Sequence, residues 1–287
     1  MIELKSLKKT FRKTQVLRGV DLQLAKGDRM ALVGSNGAGK TTLVRCLLGQ
    51  YTYEGQVLVD GLSAREHRQE VLKRIGFVPQ LPPPLKMTVE QLVRFAADLC
   101  DGEPERMFEI SEQLGLSIAE VKNRVFVRLS GGEKQKLLIG IALGRDAELL
   151  VMDEPAANLD PEARQVFFRL LAERLEKVTM IISSHRLDEV AALVNRVVEL
   201  DHGQVVLDDH VDDAIDLAGI LDCQIQLSKE NEAFSKSIAD WGFTFTDNSW
   251  QGKVAGPDRL RFLGVLSRYA GLIHGIEIKE SENGNNS

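Results

Sequence analysis

The chain has 287 residues, of which 44% are apolar and 27% charged, and its formal net charge is −6. Cores tend to split beyond roughly 250 residues, so this length predicts one large and one small domain. The composition is that of a globular protein and gives no argument for disorder, and the negative charge gives no reason to expect nucleic acid as the main partner.

No apolar run approaches the roughly 18 to 20 residues needed to cross a bilayer, and Met1–Thr10 lacks the apolar centre of a signal peptide. We therefore expect a cytoplasmic protein. The three cysteines, Cys46, Cys100 and Cys223, have neither CxxC nor metal-ligand spacing, which predicts reduced structural thiols.

The N-terminal third alternates β-like runs with turns, which indicates an α/β domain. Its predicted strands are Ile2–Leu7, Val20–Leu24, Arg29–Val33, Gly55–Val59 and Ile75–Val78.

A glycine-rich loop follows the third of these runs and precedes a helical pattern. It has the sequence G-x-x-x-x-G-K-T, in which glycines let backbone N–H groups approach phosphate while the following helix directs its positive end at the same anion. We predict that Lys40 binds the β and γ phosphates, that Thr41 binds Mg²⁺ and that Thr42 donates to phosphate. The predicted nucleotide-binding residues are Gly34, Ser35, Asn36, Gly37, Ala38, Gly39, Lys40, Thr41 and Thr42.

A helical insertion is predicted after the proline-rich loop Leu81–Pro84. Thr88 and Gln91 have the spacing of a capping box, and apolar residues then recur at helical intervals to Leu99. We expect a helical subdomain at about 85–145.

The segment Leu129–Lys136 contains a second predicted anion site. Ser130 and Glu133 form another capping box, and Gly131 and Gly132 expose the N-terminus of the helix that follows. As local structure alone this is equally well a capped helix without a ligand.

Two acidic residues, Asp153 and Glu154, directly follow the apolar run Leu149–Met152. Because successive side chains of a strand point to opposite faces, Asp153 and Glu154 are expected to have different roles. We predict that Asp153 holds Mg²⁺ and that Glu154 polarises the attacking water. A helix is predicted next, at Pro161–Lys177, followed by a strand at Val178–Ser183.

The last part of the chain has its own element order, strand, helix, two strands, helix and strand, which is the split βαβ of a ferredoxin-like fold. Its predicted helices are Asn231–Trp241 and Pro257–Tyr269. The expected domains are therefore 1–210 and 222–280, with a frayed tail at 281–287.

Taken together, the motifs resemble those of the ATP-binding subunits of ATP-binding cassette (ABC) transporters. The resemblance covers about residues 1–210 and implies a P-loop ATPase fold with ATP and Mg²⁺ as cofactors. It also implies a homodimer that encloses ATP between one subunit's phosphate loop and the other's Ser130–Glu133 segment, and a separate transmembrane permease as partner.

The same resemblance assigns roles to four further sites. It implies that Gln80 contacts Mg²⁺ and water, that His185 contacts the γ phosphate, that Asn158–Asp160 crosses the dimer interface and that Phe11 stacks on adenine. The sequence departs from the family pattern at Glu133, where glutamine is frequent, and at Phe11, where tyrosine is common. Stretches such as Arg74–Gln80 and Ser184–Leu187 are similar to the ABC-2 exporter group, which includes an ATPase for copper-site maturation of nitrous oxide reductase.

Two other functions are compatible with some of these motifs. A soluble ABC-type ATPase acting on nucleic acid or ribosomes usually carries two cassettes, coiled-coil arms or zinc modules, and this chain has one cassette. A catalytically inactive scaffold is disfavoured by the presence of Lys40, Asp153, Glu154 and His185.

Overall fold

The computed structural model describes residues 1–145, 147–184, 187–210, 220–246, 248–255, 262, 264–266 and 269–280. The chain divides into two compact units, one of Met1–His185 with Arg196–Asp209 and one of Arg186–Asn195 with His210–Ser287. In the described part of the chain, no helix is both long and apolar enough to cross a membrane.

The strands up to His210 are β1 (Ile2–Phe11), β2 (Thr14–Leu24), β3 (Arg29–Val33), β4 (Glu54–Val59), β5 (Leu62–Ser63), β6 (Ile75–Val78), β7 (Leu149–Asp153), β8 (Thr179–Ser183), β9 (Arg196–Asp201) and β10 (Gln204–His210). The α-helices up to Val190 are α1 (Lys40–Leu47), α2 (Arg68–Lys73), α3 (Val89–Cys100), α4 (Pro104–Gln113), α5 (Ile118–Val121), α6 (Gly131–Leu143), α7 (Pro161–Ala172) and α8 (Leu187–Val190).

Two sheets build the first unit. One has the order β2-β1-β4-β5, with antiparallel pairs, and the other has the order β10-β9-β3-β8-β7-β6. Strands β9, β3, β8, β7 and β6 pair in parallel. Their carboxyl ends therefore meet at one edge of the sheet, which is the usual position of ligand sites in α/β folds.

A core of apolar side chains joins both sheets to α1. Leu17 of β2, Leu43 of α1, Leu149 of β7 and Val198 of β9 all belong to it and are fully or almost fully buried. This packing holds the start of α1 against the end of β3, where the glycine-rich loop lies.

A second core lies among the helices after the proline-rich loop and includes Val93, Phe126 and Leu137. The predicted capping box of α3 is confirmed: Thr88 Oγ1 accepts from the Gln91 N–H at 3.2 Å, and Gln91 Oε1 accepts from the Thr88 N–H at 3.0 Å. The prediction of a mostly helical insertion is confirmed as well.

The helix predicted at Pro161–Lys177 is shorter than expected, because α7 ends at Ala172. Past this point the Arg174 N–H donates to the Leu171 carbonyl and the Lys177 N–H to the Arg174 carbonyl. Such bonds to the third preceding residue tighten the chain into turns.

A buried cation connects the loop before β3 with β9 and β10. Arg196 donates to Asp28 at 3.1 Å, to both carboxylate oxygens of Asp208 at 2.8 and 2.7 Å, and to the Gln23 carbonyl at 2.6 Å. These contacts raise the pKa of the Arg196 guanidinium, chiefly through its hydrogen bonds to Asp208. The ion pairs compensate for the burial of this charge.

The second unit contains β11 (Ile220–Leu227), α9 (Glu232–Ala239), β12 (Thr244–Thr246), β13 (Ser249–Ala255) and β14 (Ile273–Glu280). The strands pair antiparallel in the order β12-β13-β11-β14, so β13 lies between β11 and β12 as in a split βαβ. The ferredoxin-like strand arrangement is thus confirmed. The predicted helix Pro257–Tyr269 lies largely outside the described residues, and the predicted tail 281–287 lies wholly outside them.

Candidate nucleotide-binding site

The loop from Gly34 to Gly39 runs from the end of β3 to the start of α1, as predicted. Gly34 has φ 140° and Gly39 has φ 113°, backbone conformations that L side chains rarely adopt. Space is also limited, because a Cβ at Gly34 would collide with the Leu200 carbonyl and one at Gly39 would lie 2.9 Å from Leu17 Cδ2. These two positions therefore require glycine.

Lys40 begins α1 and is buried against its own loop. Its ammonium donates to the carbonyl of Gly34 at 2.6 Å and to that of Ser35 at 3.3 Å. Burial lowers the pKa of Lys40, whereas the nearby carboxylates of Glu154 and Asp153 act in the opposite direction. Lys40 and the two acidic residues were predicted from motifs that are far apart in the sequence. The fold places them close enough for the carboxylates to act on the charge of the lysine. Thr41 and Thr42 follow Lys40 on α1 and are half-buried.

The acidic pair differs from the prediction in its geometry. Strand β7 ends at Asp153, and Glu154 has a left-handed backbone conformation with φ 48°. Glu154 is therefore not part of the strand, and the expected alternation of strand side chains does not set its direction. Instead the left-handed turn at Glu154 redirects its side chain. Asp153 is buried, whereas Glu154 is partly exposed.

Ser183, at the end of β8, joins the two acidic residues. Its hydroxyl donates to Asp153 Oδ1 at 2.6 Å and accepts from the Glu154 backbone N–H at 3.0 Å. One side chain therefore fixes the carboxylate of Asp153 and the backbone of Glu154.

Gln80 lies just beyond the end of β6 and is exposed. Strands β6 and β7 pair in parallel, so their carboxyl ends lie at the same edge of the sheet. Gln80, just after β6, therefore lies at the edge where β7 ends with Asp153 and is followed by Glu154. The predicted His185 lies outside the described residues, and β8, which precedes it, ends at this edge too.

Phe11 ends β1 and is 39% exposed. Its ring makes an edge contact with Tyr51, with 5.1 Å between centroids, and Lys9 Nζ lies 4.7 Å from its centroid. Lys9 is held in turn by the Thr52 carbonyl at 2.6 Å, and Arg45 donates to the Tyr51 hydroxyl at 2.8 Å. The aromatic side chain is thus braced and partly open, which suits the stacking of a base.

The second predicted anion site is the N-terminus of α6. Ser130 Oγ accepts from the Glu133 N–H at 3.2 Å, and Glu133 Oε2 accepts from the Ser130 N–H at 2.6 Å, which confirms the capping box. The pKa of Glu133 is lowered mainly by the hydrogen bond from the Ser130 backbone N–H, and Arg124 pairs with the same carboxylate at 2.9 Å. Ser130 and Gly131 are exposed, while Gly132 is half-buried.

The phosphate loop and the start of α6 are anchored in different cores. Ala38 belongs to the core of the two sheets, whereas Leu137 of α6 belongs to the helical core. The first turns of α6 also pack on the loop that follows Glu154: Gln135 Nε2 donates to the Pro155 carbonyl at 2.9 Å, and Lys136 pairs with Asp160 at 2.8 Å.

Comparison with known proteins identifies the family. The family described as ABC transporter matches residues 17–157. The linearmycin resistance ATP-binding protein of Bacillus subtilis is 32% identical over 248 residues, which cover 83% of this chain and 78% of that protein. This chain belongs to the ABC transporter ATP-binding proteins. A second relative of this ABC subunit is the energy-coupling factor transporter ATP-binding protein of Methanothermobacter thermautotrophicus, 35% identical over 218 residues that cover 72% of this chain and 70% of that protein.

Solved structures agree with this assignment at the level of the fold. A dimeric ATP-binding cassette in a post-hydrolysis state, with bound ADP and Pi, superposes on the ABC subunit with a TM-score of 0.65 at 23% identity. The match covers 74% of this chain and 99% of that one. The predicted P-loop ATPase fold and the predicted ABC-type ATPase class are confirmed.

Ser183 bonds to Asp153 and to the Glu154 backbone, and Tyr51 contacts Phe11, although neither residue belongs to a predicted motif of the ABC subunit. Gln135 lies inside the predicted segment Leu129–Lys136, but its bond to the Pro155 carbonyl was not predicted. Ser183 had a usable signal, because a polar residue at the carboxyl end of a buried parallel strand is placed toward the ligand edge. Gln135 and Tyr51 are recognised only from their contacts in the folded chain.

Proposed function

We propose that this chain hydrolyses Mg·ATP as the energy-supplying subunit of a transporter, and that it pairs with a second copy of itself on a separate transmembrane permease. The observation that carries the proposal is the convergence of Lys40, Asp153 and Glu154 at the carboxyl edge of the parallel sheet. A cation for phosphate beside carboxylates for metal and water is the donor set that phosphoryl transfer requires.

In this proposal each side chain has one task. The ammonium of Lys40 and the backbone N–H groups of Gly34–Lys40 bind the phosphates. Glu154 accepts the proton of the attacking water, and His185 contacts the γ phosphate. Because Glu154 is partly exposed and its backbone N–H is held by Ser183, its carboxylate is positioned and yet accessible.

The side chains at the same edge also fit Mg²⁺. The carboxylate of Asp153, the hydroxyl of Thr41 and the amide oxygen of Gln80 are oxygen donors, which this ion prefers. The hydrogen bond from Ser183 orients Asp153, as outer partners commonly do for metal ligands. When bound, Mg²⁺ would neutralise charge on the β and γ phosphates.

The arrangement of α6 supports pairing with a second copy. Ser130 and Gly131 expose the N-terminus of a long helix, and this end is anchored in the helical core rather than in the core that holds the phosphate loop. We infer that the segment Ser130–Glu133 binds the γ phosphate of ATP held by the other copy, with Asn158–Asp160 at the interface between the two.

Exposed apolar side chains support a membrane partner. Leu81 is 73% exposed just after Gln80, and Phe95, Leu99 and Val127 of the helical segment are also exposed. Large apolar side chains open to solvent are common at docking surfaces. We propose that the permease contacts this surface and holds the subunit on the cytoplasmic side of the membrane. The ABC-2 exporter subtype stays a prediction.

Two variants of the full-length chain test the proposal. Glu154→Gln should bind ATP and form a dimer detectable by light scattering, while turnover falls to less than about one hundredth, because the general base is lost. Lys40→Ala should lose ATP binding. The control is Glu148→Gln, which changes a surface carboxylate just before β7 and should leave turnover unchanged.

Near-normal ATP turnover in Glu154→Gln would remove this residue from the mechanism. Tight ATP binding by Lys40→Ala, measured by equilibrium dialysis, would contradict the phosphate-loop assignment.

A further inference from the structure

A buried amide lies between the start of α6 and the loop after Glu154. Gln135 is fully buried, and its Nε2 donates to the Pro155 carbonyl at 2.9 Å. Within the described residues, its Oε1 has no hydrogen-bond partner. A buried polar atom without a partner is unfavourable, and an apolar side chain of similar volume would avoid it. The two ends of the amide therefore act in opposite directions on stability, since one satisfies the Pro155 carbonyl and the other stays unpaired.

The bond from Gln135 reaches the residue directly after Glu154. Glu154 itself has a left-handed backbone conformation, and its N–H is held from the other side by Ser183 Oγ. The turn that directs the Glu154 carboxylate is thus fixed at two points, one on β8 and one on α6.

The next turn of the loop is held by the same helix. Lys136 pairs with Asp160 at 2.8 Å, and a Cβ added at Gly132 would lie 3.3 Å from the Asn158 carbonyl oxygen. The first turns of α6 therefore contact the loop at Pro155, Asn158 and Asp160. A displacement of α6 along its axis would be transmitted to this loop.

We propose that Gln135 is a positioning residue that couples the N-terminus of α6 to Glu154 of the same chain. This inference rests on the proposed function, in which Ser130–Glu133 binds the ATP of a second copy. Binding there fixes α6, Gln135 then holds the Pro155 carbonyl, and Glu154 is kept in the orientation that hydrolysis needs. Each site is thereby made active by occupation of the other.

The first test replaces the amide by an apolar group of similar size. Gln135→Leu should lower kcat by at least about tenfold, as loss of an outer positioning contact commonly does, with KM for ATP changed less than about twofold. Its thermal unfolding midpoint should change little, because the loss of the donor to the Pro155 carbonyl is offset by removal of the unpartnered oxygen. Gln113→Leu is the matched control: it makes the same change at an exposed position of α4, outside the contacts between α6 and this loop, and kcat should change less than about twofold.

The second test uses a titratable replacement. In Gln135→Glu, the neutral acid donates its O–H to the Pro155 carbonyl, whereas the carboxylate repels that oxygen. Burial favours the neutral form and raises the pKa of the new side chain. The kcat of this variant relative to the unchanged chain should therefore be highest near pH 6 and fall as the pH rises toward about 9.

The outcomes separate the two proposals. If the unchanged chain hydrolyses ATP, Glu154→Gln abolishes turnover and Gln135→Leu retains its kcat, the coupling by Gln135 is wrong and the proposed function stands. A drop in kcat with a lowered unfolding midpoint and a flat pH profile for Gln135→Glu would show a structural role and likewise overturn the coupling. If Glu154→Gln keeps its turnover, the proposed function itself fails.

Discussion

The hydroxyl of Ser183 is the contact on which the acidic end of β7 depends. It donates to Asp153 and accepts from the Glu154 N–H, so its removal leaves a buried carboxylate oxygen and a backbone donor each without this partner. Ser183→Ala should therefore raise the Mg²⁺ concentration for half-maximal ATPase activity by about 10- to 100-fold, the effect typical of outer partners of metal ligands.

The control for this prediction is Ser183→Thr, which keeps the hydroxyl and suits a strand. The Mg²⁺ concentration for half-maximal ATPase activity of this variant should stay close to that of the unchanged chain. An unchanged Mg²⁺ requirement in Ser183→Ala, measured by steady-state hydrolysis at fixed ATP, would contradict the role assigned to this hydroxyl.

Single residues could be predicted from the sequence where a motif is contiguous. The glycines and lysine of Gly34–Lys40 follow one another, so their chemistry is readable without a fold. The bond between Ser183 and Asp153 joins residues 30 positions apart and arises only because β7 and β8 pair in parallel with Asp153 opposite Ser183. The left-handed turn at Glu154 has no sequence signal either, since the residue is not glycine.

Helices α4 and α6 pack closely at Gly140 of α6. A Cβ added at Gly140 would collide with Ser111 Oγ and lie 2.7 Å from the Met107 carbonyl oxygen. Alanine gains about 1 kcal/mol of helix propensity over glycine, whereas overpacking against a backbone atom costs typically about 1 to 3 kcal/mol. Gly140→Ala should thus lower the free energy of unfolding, measured by urea titration.

Gly131→Ala is the matched control in the same helix, because nothing lies within 4 Å of the added Cβ. Its stability should be unchanged or slightly higher. Equal stability of both variants would mean that α4 moves away from α6 at little cost.

Elements with strong local signals were predicted well, and their ends less well. The capping boxes of α3 and α6 place their starts correctly, because Thr88 and Ser130 satisfy the first N–H groups of each helix. The end of α7 was placed too late, since nothing in Glu173–Lys177 excludes helix by propensity and the turns there are set by the folded chain. The close packing of α4 on α6 depends on tertiary contacts and has no periodic signature.

At the scale of the whole molecule, each of the three cysteines lies in or against a different apolar core. Cys46 lies in the core of the two sheets, Cys223 in the core of the second unit, and Cys100 packs on the helical core while partly exposed. Burial raises the pKa of the Cys46 thiol to about 11, which keeps it protonated and slow to alkylate. The three cysteines therefore form a natural set of probes for how the cores open.

Alkylation with iodoacetamide at pH 8 during a urea titration should modify the three thiols in a fixed order. Cys100 is partly exposed, so it should react in the native chain and calibrate the reagent. Cys223 should become reactive at a lower urea concentration than Cys46, because among the described residues its core contains fewer buried apolar side chains, and small cores are less stable. Mass spectrometry of the three peptides measures the order. Simultaneous loss of protection at Cys46 and Cys223 would mean that both units unfold in a single cooperative transition.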